Sequence, residues 1–293
     1  MSNPSTEPKA CIIGYPAKHS RSPMVHGFWL NEYGIAGQYD IAEVAPNDLA
    51  RFISNLSNHG YVGANVTVPH KEAAFHLVDK LTATAQALGA VNTLWFENGE
   101  LWGDNTDVEG FLSNLDAGAP GWDDRTDKAM VLGAGGAARA IIYGLLSRNI
   151  KSILIVNRTQ TRAQDLAEYF GRSFPDQTIT TASWDDMPAY LPSCDLLVNT
   201  TSLGMQGQPA LTINLAALPP AALVTDAVYV PLVTPILAAA QARGLKTIGG
   251  LGMLLHQAVP GFAHWFGRKP QVNEALQAII EADILSACQE GSK

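Results

Sequence analysis

The chain has 293 residues, a length that accommodates about two domains at roughly 150 residues each. Nineteen Lys and Arg against 27 Asp and Glu leave a net charge of −8, which excludes an extended basic surface for nucleic acid. Only 16% of residues are charged while 47% are hydrophobic, which excludes a disordered chain and implies sizeable cores.

Residues 10–14 form a short apolar run ending at a glycine, the pattern of a buried strand entering a loop. The loop 15–23 is rich in small polar residues, and 24–33 has apolar positions at helical spacing. A second strand over 38–44 precedes a helix-like 46–58, and a third over 63–68 stops at Pro69. Helical patterns run through 71–88, and 90–96 with 99–103 reads as a hairpin about the Asn98-Gly99 turn. Turn chemistry over 116–127 then separates this region from a second strand-helix alternation. Its strands, at 128–132, 152–156, 196–199, 223–227 and 246–248, are short and rich in Val, Ile and Leu, as in a parallel sheet covered on both faces. The stretch 251–287 carries helical periodicity broken by Pro260 and Pro270.

Gly133-Ala134-Gly135-Gly136-Ala137-Ala138 places a Gly-x-Gly-x-x-Ala pattern between a predicted strand and a helix over 137–147. Gly133 permits the tight turn, Gly135 lets backbone approach a pyrophosphate, and Ala138 lets the helix pack close. Free amides at the helix start hold the phosphates. Where an acidic residue would bind the ribose of NAD, the chain has Asn157-Arg158-Thr159 with Arg162 one turn on. Two guanidinium groups suit a 2′-phosphate, so the expected cofactor is NADP.

Three polar clusters lie at predicted strand ends, where ligands of open α/β sheets bind: Ser20-Arg21-Ser22-Pro23, Asn65-Val66-Thr67-Val68-Pro69-His70-Lys71, and Asn92-Thr93 with Asp104-Asn105-Thr106-Asp107. Hydroxyls and amides read a polyhydroxylated ligand, whereas an ammonium beside a carboxylate can handle the proton that leaves an alcohol as its carbon loses hydride. Taken singly, Ser20 and Ser22 suit a helix cap, Asn105 and Thr106 a turn, and Lys71 a solvated helix start. His19, His26, His59, His70, His76, His256 and His264 form no ligand-like cluster and the cysteines Cys11, Cys194 and Cys288 have no metal spacing, so no metal is expected. His70 reads as a local packing or hydrogen-bonding residue. The cysteines read as small buried hydrophobes in a reducing compartment.

With these segments, and with Gly89-Ala90-Val91-Asn92-Thr93, Asn199-Thr200-Thr201-Ser202-Leu203-Gly204-Met205 and Gly250-Leu251-Gly252-Met253-Leu254, the chain resembles the shikimate dehydrogenases over essentially its whole length. The resemblance implies an α/β fold: a Rossmann-like NADP-binding domain over 108–249, and an α/β substrate-binding domain over 1–107 completed by C-terminal helices over 250–293. It implies NADP-linked interconversion of shikimate and 3-dehydroshikimate, a step of chorismate and aromatic amino-acid biosynthesis. Lys71 and Asp107 would be the catalytic pair, Ser20 and Ser22 would bind the substrate carboxylate, and Asn65, Thr67, Asn92 and Gln257 would hold its hydroxyls. Tyr229 would line the carboxylate end. Gly133, Ala134, Gly135, Gly136, Ala137, Asn157, Arg158, Thr159, Arg162, Thr200, Ser202, Gly250 and Met253 would form the cofactor site.

The chain departs from many relatives at Gly249, where Asp is common, and at Val108, where Gly is common. A quinate-oxidising relative is the nearest alternative, and Ser22 and Arg158 favour shikimate with NADP over it. A non-catalytic nucleotide-binding relative is the other, against which the pairing of Lys71 with Asp107 argues. No apolar targeting core opens the chain and no run approaches the roughly 20 apolar residues of a membrane span. The expected setting is a cytoplasmic monomer or homodimer with a small-molecule substrate and no nucleic-acid or membrane partner.

Overall fold

The structure is a computed structural model that describes residues 7–290. The chain forms two compact units: one comprises the described residues up to Asp107 together with Gln257–Ile280, the other Val108–His256 together with the described residues from Glu281 onward.

The first unit alternates β1 (Lys9–Gly14), α1 (Ser22–Tyr33), β2 (Gln38–Glu43), α2 (Leu49–Ser54), β3 (Tyr61–Val66), α3 (Lys71–Phe75), β4 (Lys80–Leu81), α4 (Ala83–Leu88) and the hairpin β5 (Thr93–Glu97) and β6 (Glu100–Asp104). Its sheet runs β2-β1-β3-β5-β6-β4. The first three strands are mutually parallel, and β5 is antiparallel to both β3 and β6. Cys11, Ile13, Ala64 and Val66 fill one core with Leu49, Ile53 and Leu56, because successive side chains of a strand alternate faces. The continuous helical reading of 71–88 fails: α3 and α4 are separated by β4, which pairs with β6 and takes backbone that a helix would have kept.

The second unit contains α5 (Asp107–Gly118) from Val108 onward, then β7 (Lys128–Leu132), α6 (Gly136–Ser147), β8 (Ser152–Val156), α7 (Gln160–Ser173), β9 (Thr178–Ala182), β10 (Leu196–Asn199), β11 (Leu223–Asp226), α8 (Pro235–Ala242) and β12 (Lys246–Ile248). The sheet order is β12-β11-β10-β7-β8-β9 with every pairing parallel, the doubly wound order of a dinucleotide-binding fold. All five expected strands are present. The sixth, β9, is an edge strand of Thr-Ile-Thr-Thr-Ala and lacks the apolar run that marked the others.

Pro260 does not break its helix. α9 runs through it from Leu251 to Phe266, with Leu255, Ala258, Phe262 and Trp265 buried on either side. Their burial outweighs the one backbone bond that proline removes. α10 (Glu274–Glu290) follows. The expectation placed all of 250–293 with the first unit, whereas residues 250–256 and the described residues from Glu281 onward group with the second. A Cβ at Gly250 would stand 2.5 Å from the Ala227 carbonyl oxygen, and Asn114 Nδ2 donates to the Gly249 carbonyl at 2.9 Å, so this backbone is tied to β11 and α5. Among the described residues no helix is long and apolar enough to cross a membrane.

Candidate active site

In the first unit, Asn65 is the penultimate residue of β3, Lys71 opens α3, Asn92 precedes β5 and Asp107 opens α5. Lys71 Nζ lies 2.5 Å from Asp107 Oδ2, with the side chains 30% and 15% exposed. That is enough exposure to admit a ligand and enough burial to limit screening. The other carboxylate oxygen, Oδ1, accepts from Asn92 Nδ2 at 2.8 Å.

The Asn92 amide is oriented in turn. Its Oδ1 accepts from the Thr106 backbone N–H at 2.8 Å and from the Thr93 hydroxyl at 3.0 Å. The single proton of the Thr106 hydroxyl suits the Gln257 carbonyl, 2.8 Å away. Asn65 Nδ2 contacts Thr93 Oγ1 at 3.3 Å, so one hydrogen-bonded line joins Asn65, Thr93, Asn92, Asp107 and Lys71. The buried Asn105 braces the turn, donating to Ala90 O and accepting from Asp107 N.

Ser20 and Ser22 meet at the start of α1, where the Ser22 N–H donates to Ser20 Oγ at 3.2 Å and no side chain caps the helix. Thr67 follows β3, its N–H bound to Ile13 O at 2.9 Å. His70 is buried and hydrogen-bonds Val44 O through Nε2 at 2.7 Å, the local role expected of it. Gln257 joins this unit through its backbone carbonyl, whereas Tyr229 belongs to the second unit, in the loop after β11.

The second unit supplies the phosphate-binding turn. Gly133 has φ +113°, and a Cβ there would strike Thr200 Oγ1, which is held by its donation to Leu132 O at 2.7 Å. Gly135 is the extended residue before α6, and no side chain caps the helix. Cβ atoms at Gly135 and Gly136 would meet nothing within 4 Å, so the turn keeps open space beside an uncapped helix start. Ala138 is fully buried, as close helix-sheet packing requires, while Ala134 and Ala137 are half-buried.

At the end of β8, Asn157 Nδ2 donates to Thr159 O at 2.8 Å and shapes the turn that carries Arg158 and Arg162. Both arginines are exposed, and among the described residues neither has a carboxylate partner. An open glycine cradle with unneutralised guanidinium groups beyond it fits a dinucleotide bearing an extra phosphate. Ser202 is exposed and Met253 half-buried; Gly250 is buried against the Asp226 and Ala227 carbonyls, which is itself a packing reason for glycine.

Sequence reasoning missed three polar residues. Asp226, 1% exposed, accepts from Thr234 Oγ1, the Val228 N–H and Asn199 Nδ2, and ties the ends of β10 and β11 to the start of α8. Burial raises its carboxyl above the usual range, and these hydrogen bonds oppose the rise. Tyr39 donates to Asn65 Oδ1 at 2.6 Å, and the fully buried His26 stacks on the Tyr39 ring. No motif marks these residues; only their recurrence at strand ends or beside a polar partner could have done so. Among the described residues no group of His, Cys, Asp and Glu could hold a metal ion.

Residues 12–94 match the family described as the shikimate dehydrogenase substrate binding domain, 121–206 that of shikimate / quinate 5-dehydrogenase, and 250–280 the shikimate 5'-dehydrogenase C-terminal domain. A shikimate dehydrogenase (NADP(+)) of Nitrobacter hamburgensis is 57% identical over 275 residues, 94% of each chain. Among solved structures, shikimate 5-dehydrogenase from Thermus thermophilus in complex with NADP(H) and shikimate is 34% identical, with a TM-score of 0.78 over 90% of this chain and 95% of that one. Quinate dehydrogenase from Corynebacterium glutamicum in complex with NAD is 28% identical, with a TM-score of 0.87 over 94% of this chain and 99% of that one. On matches that run through both units and identity above one half along nearly the full length, the chain belongs to the shikimate dehydrogenase family.

Proposed function

We infer that the chain interconverts shikimate and 3-dehydroshikimate with NADP(H), as an oxidoreductase of aromatic amino-acid biosynthesis. The Lys71–Asp107 pair carries this reading: a partly buried ammonium held 2.5 Å from a carboxylate that a buried amide steers is suited to proton exchange, and a nucleotide-binding module has no use for it.

The first unit is the substrate-binding part and the second the NADP-binding part. Ser20 and Ser22 receive the substrate carboxylate, and Asn65, Thr67, Asn92 and Gln257 hold its ring hydroxyls, with Tyr229 toward the carboxylate end. Gly133, Ala134, Gly135, Gly136 and Ala137 cradle the pyrophosphate, and Thr200, Ser202, Gly250 and Met253 complete the cofactor site. Asn157, Arg158, Thr159 and Arg162 hold the 2′-phosphate. When bound, NADP supplies the hydride acceptor for the substrate carbinol carbon. As that hydride leaves C3, the C3-hydroxyl proton passes to Lys71 Nζ while the ammonium hands one of its own protons to Asp107 Oδ2, so the lysine stays cationic and the pair relays the proton outward. In the reverse direction Lys71 returns the proton to the forming alkoxide.

The cysteines are free, which suits a reducing cytoplasm, and the assembly is a monomer or homodimer. Absorbance at 340 nm tests the function. It should rise with shikimate and NADP and rise far more slowly with quinate and NAD. Preference for quinate with NAD would assign a quinate dehydrogenase, and silence with every pair would assign a binding protein.

A further inference from the structure

Tyr39 and Asn65 stand on two strands that flank β1. Tyr39 is in register with Ala10 and Asn65 with Ile12, two residues apart on β1, so both side chains rise from the same face of the sheet. Ala10 contributes only a methyl group there, and the Tyr39 ring crosses above it to reach β3. The hydroxyl donates to Asn65 Oδ1 at 2.6 Å.

On its other side the same amide is held loosely. Asn65 Nδ2 meets the Asn92 carbonyl and Thr93 Oγ1, each at 3.3 Å. A carbonyl only accepts, so the nitrogen must face Asn92, and the oxygen is left to face Tyr39. Firm on the oxygen and slack on the nitrogen, the amide has an N–H that can leave its internal partner for an oxygen of a ligand.

Tyr39 is itself held flat. The His26 imidazole stacks on it at 4.0 Å between centroids and 14° between planes, and Trp265 lies 5.9 Å away. By hydrogen-bond geometry neither His26 ring nitrogen has a partner among the described residues, although Asn65 lies near enough to oppose the effect of burial on the imidazole, so His26 meets Tyr39 as an aromatic plate.

We propose that Tyr39 is a positioning residue for substrate recognition: its hydroxyl locks the Asn65 amide in the orientation that offers an N–H to the oxygen of a substrate ring hydroxyl. The inference rests on the assignment of Asn65 as a substrate ligand and deepens it.

Tyr39→Phe keeps the stacked ring and removes only the hydroxyl. It is expected to raise KM for shikimate about tenfold, with KM for NADP unchanged and kcat within about threefold. Combined with Asn65→Ala, it should add nothing to the loss that Asn65→Ala causes alone, because both act through one amide. A lowered Tm with unchanged KM, or losses that multiply in the double variant, would overturn the proposal. Should Tyr39→Phe fail to fold, Asn65→Asp reads the same point. It keeps the acceptor for Tyr39 and lacks the N–H, so KM must rise, and an unchanged KM overturns the proposal. If the unsubstituted chain does not oxidise shikimate, the functional reading fails first and takes this inference with it.

Discussion

Lys71 and Asp107 come from segments 36 residues apart, and what brings them together is backbone as much as charge. The Val91 N–H binds the Lys71 carbonyl and the Asn92 N–H binds the Asp104 carbonyl, both at 2.9 Å, so the segment leading into β5 is tied to Lys71 itself and to the end of β6, from which the chain turns to Asp107. Replacing Lys71 by Ala should lower kcat by about a hundredfold or more with KM changed only a few fold, the signature of a lost proton-transfer group. Steady-state kinetics decides it: a rise in KM alone would make Lys71 a binding residue. Both partners were legible because each sits in a contiguous polar run at a predicted strand end. Tyr39 was not, because its partnership with Asn65 depends on the sheet order β2-β1-β3, and neither strand's own sequence announces which strand lies between them.

The turn between β7 and α6 shows how far a local pattern carries. Gly133 was legible because a tight strand-to-helix turn restricts its backbone and Cβ space together, whereas Gly135 and Gly136 leave open space at the helix start. Gly133→Ala meets both restrictions at once, a φ of +113° and the Thr200 hydroxyl, so it should cost about 1–3 kcal/mol. In calorimetry that means a Tm lower by several degrees, accompanied by weaker NADP binding; an unaltered Tm would show that the turn relaxes freely. β9 escaped notice for the converse reason. Its threonines suit a sheet edge, where one neighbour and partial exposure replace the apolar run of a central strand. Pro260 likewise reads locally as a helix breaker, yet the long-range packing of α9 decides the outcome.

Acid stability is a property of the whole chain. Burial lowers the His26 imidazole from its usual 6.5 to about 3, and burial also lowers His256 and His264 against opposing carboxylates. A depressed histidine binds its proton more readily unfolded than folded. The stability it contributes is therefore complete above pH 6.5 and is lost as pH falls toward about 3. His26→Phe, which keeps an aromatic plate and removes the titration, should flatten the fall of Tm over that window by several degrees. Parallel Tm curves for the two proteins would show that His26 meets the proton without unfolding.

Cys11 lies in β1 between two neighbouring strands, and Cys194 turns its Sγ toward the Leu196 carbonyl. Burial pushes both thiols upward, Cys194 to about 12, so almost no thiolate exists at either position in the folded chain. Oxidants and alkylating agents act on thiolates, and the intact fold withholds both buried sulfurs from them. Neither sulfur belongs to the catalytic machinery, so modification at these two positions records an opened fold, and loss of activity that accompanies it follows from unfolding.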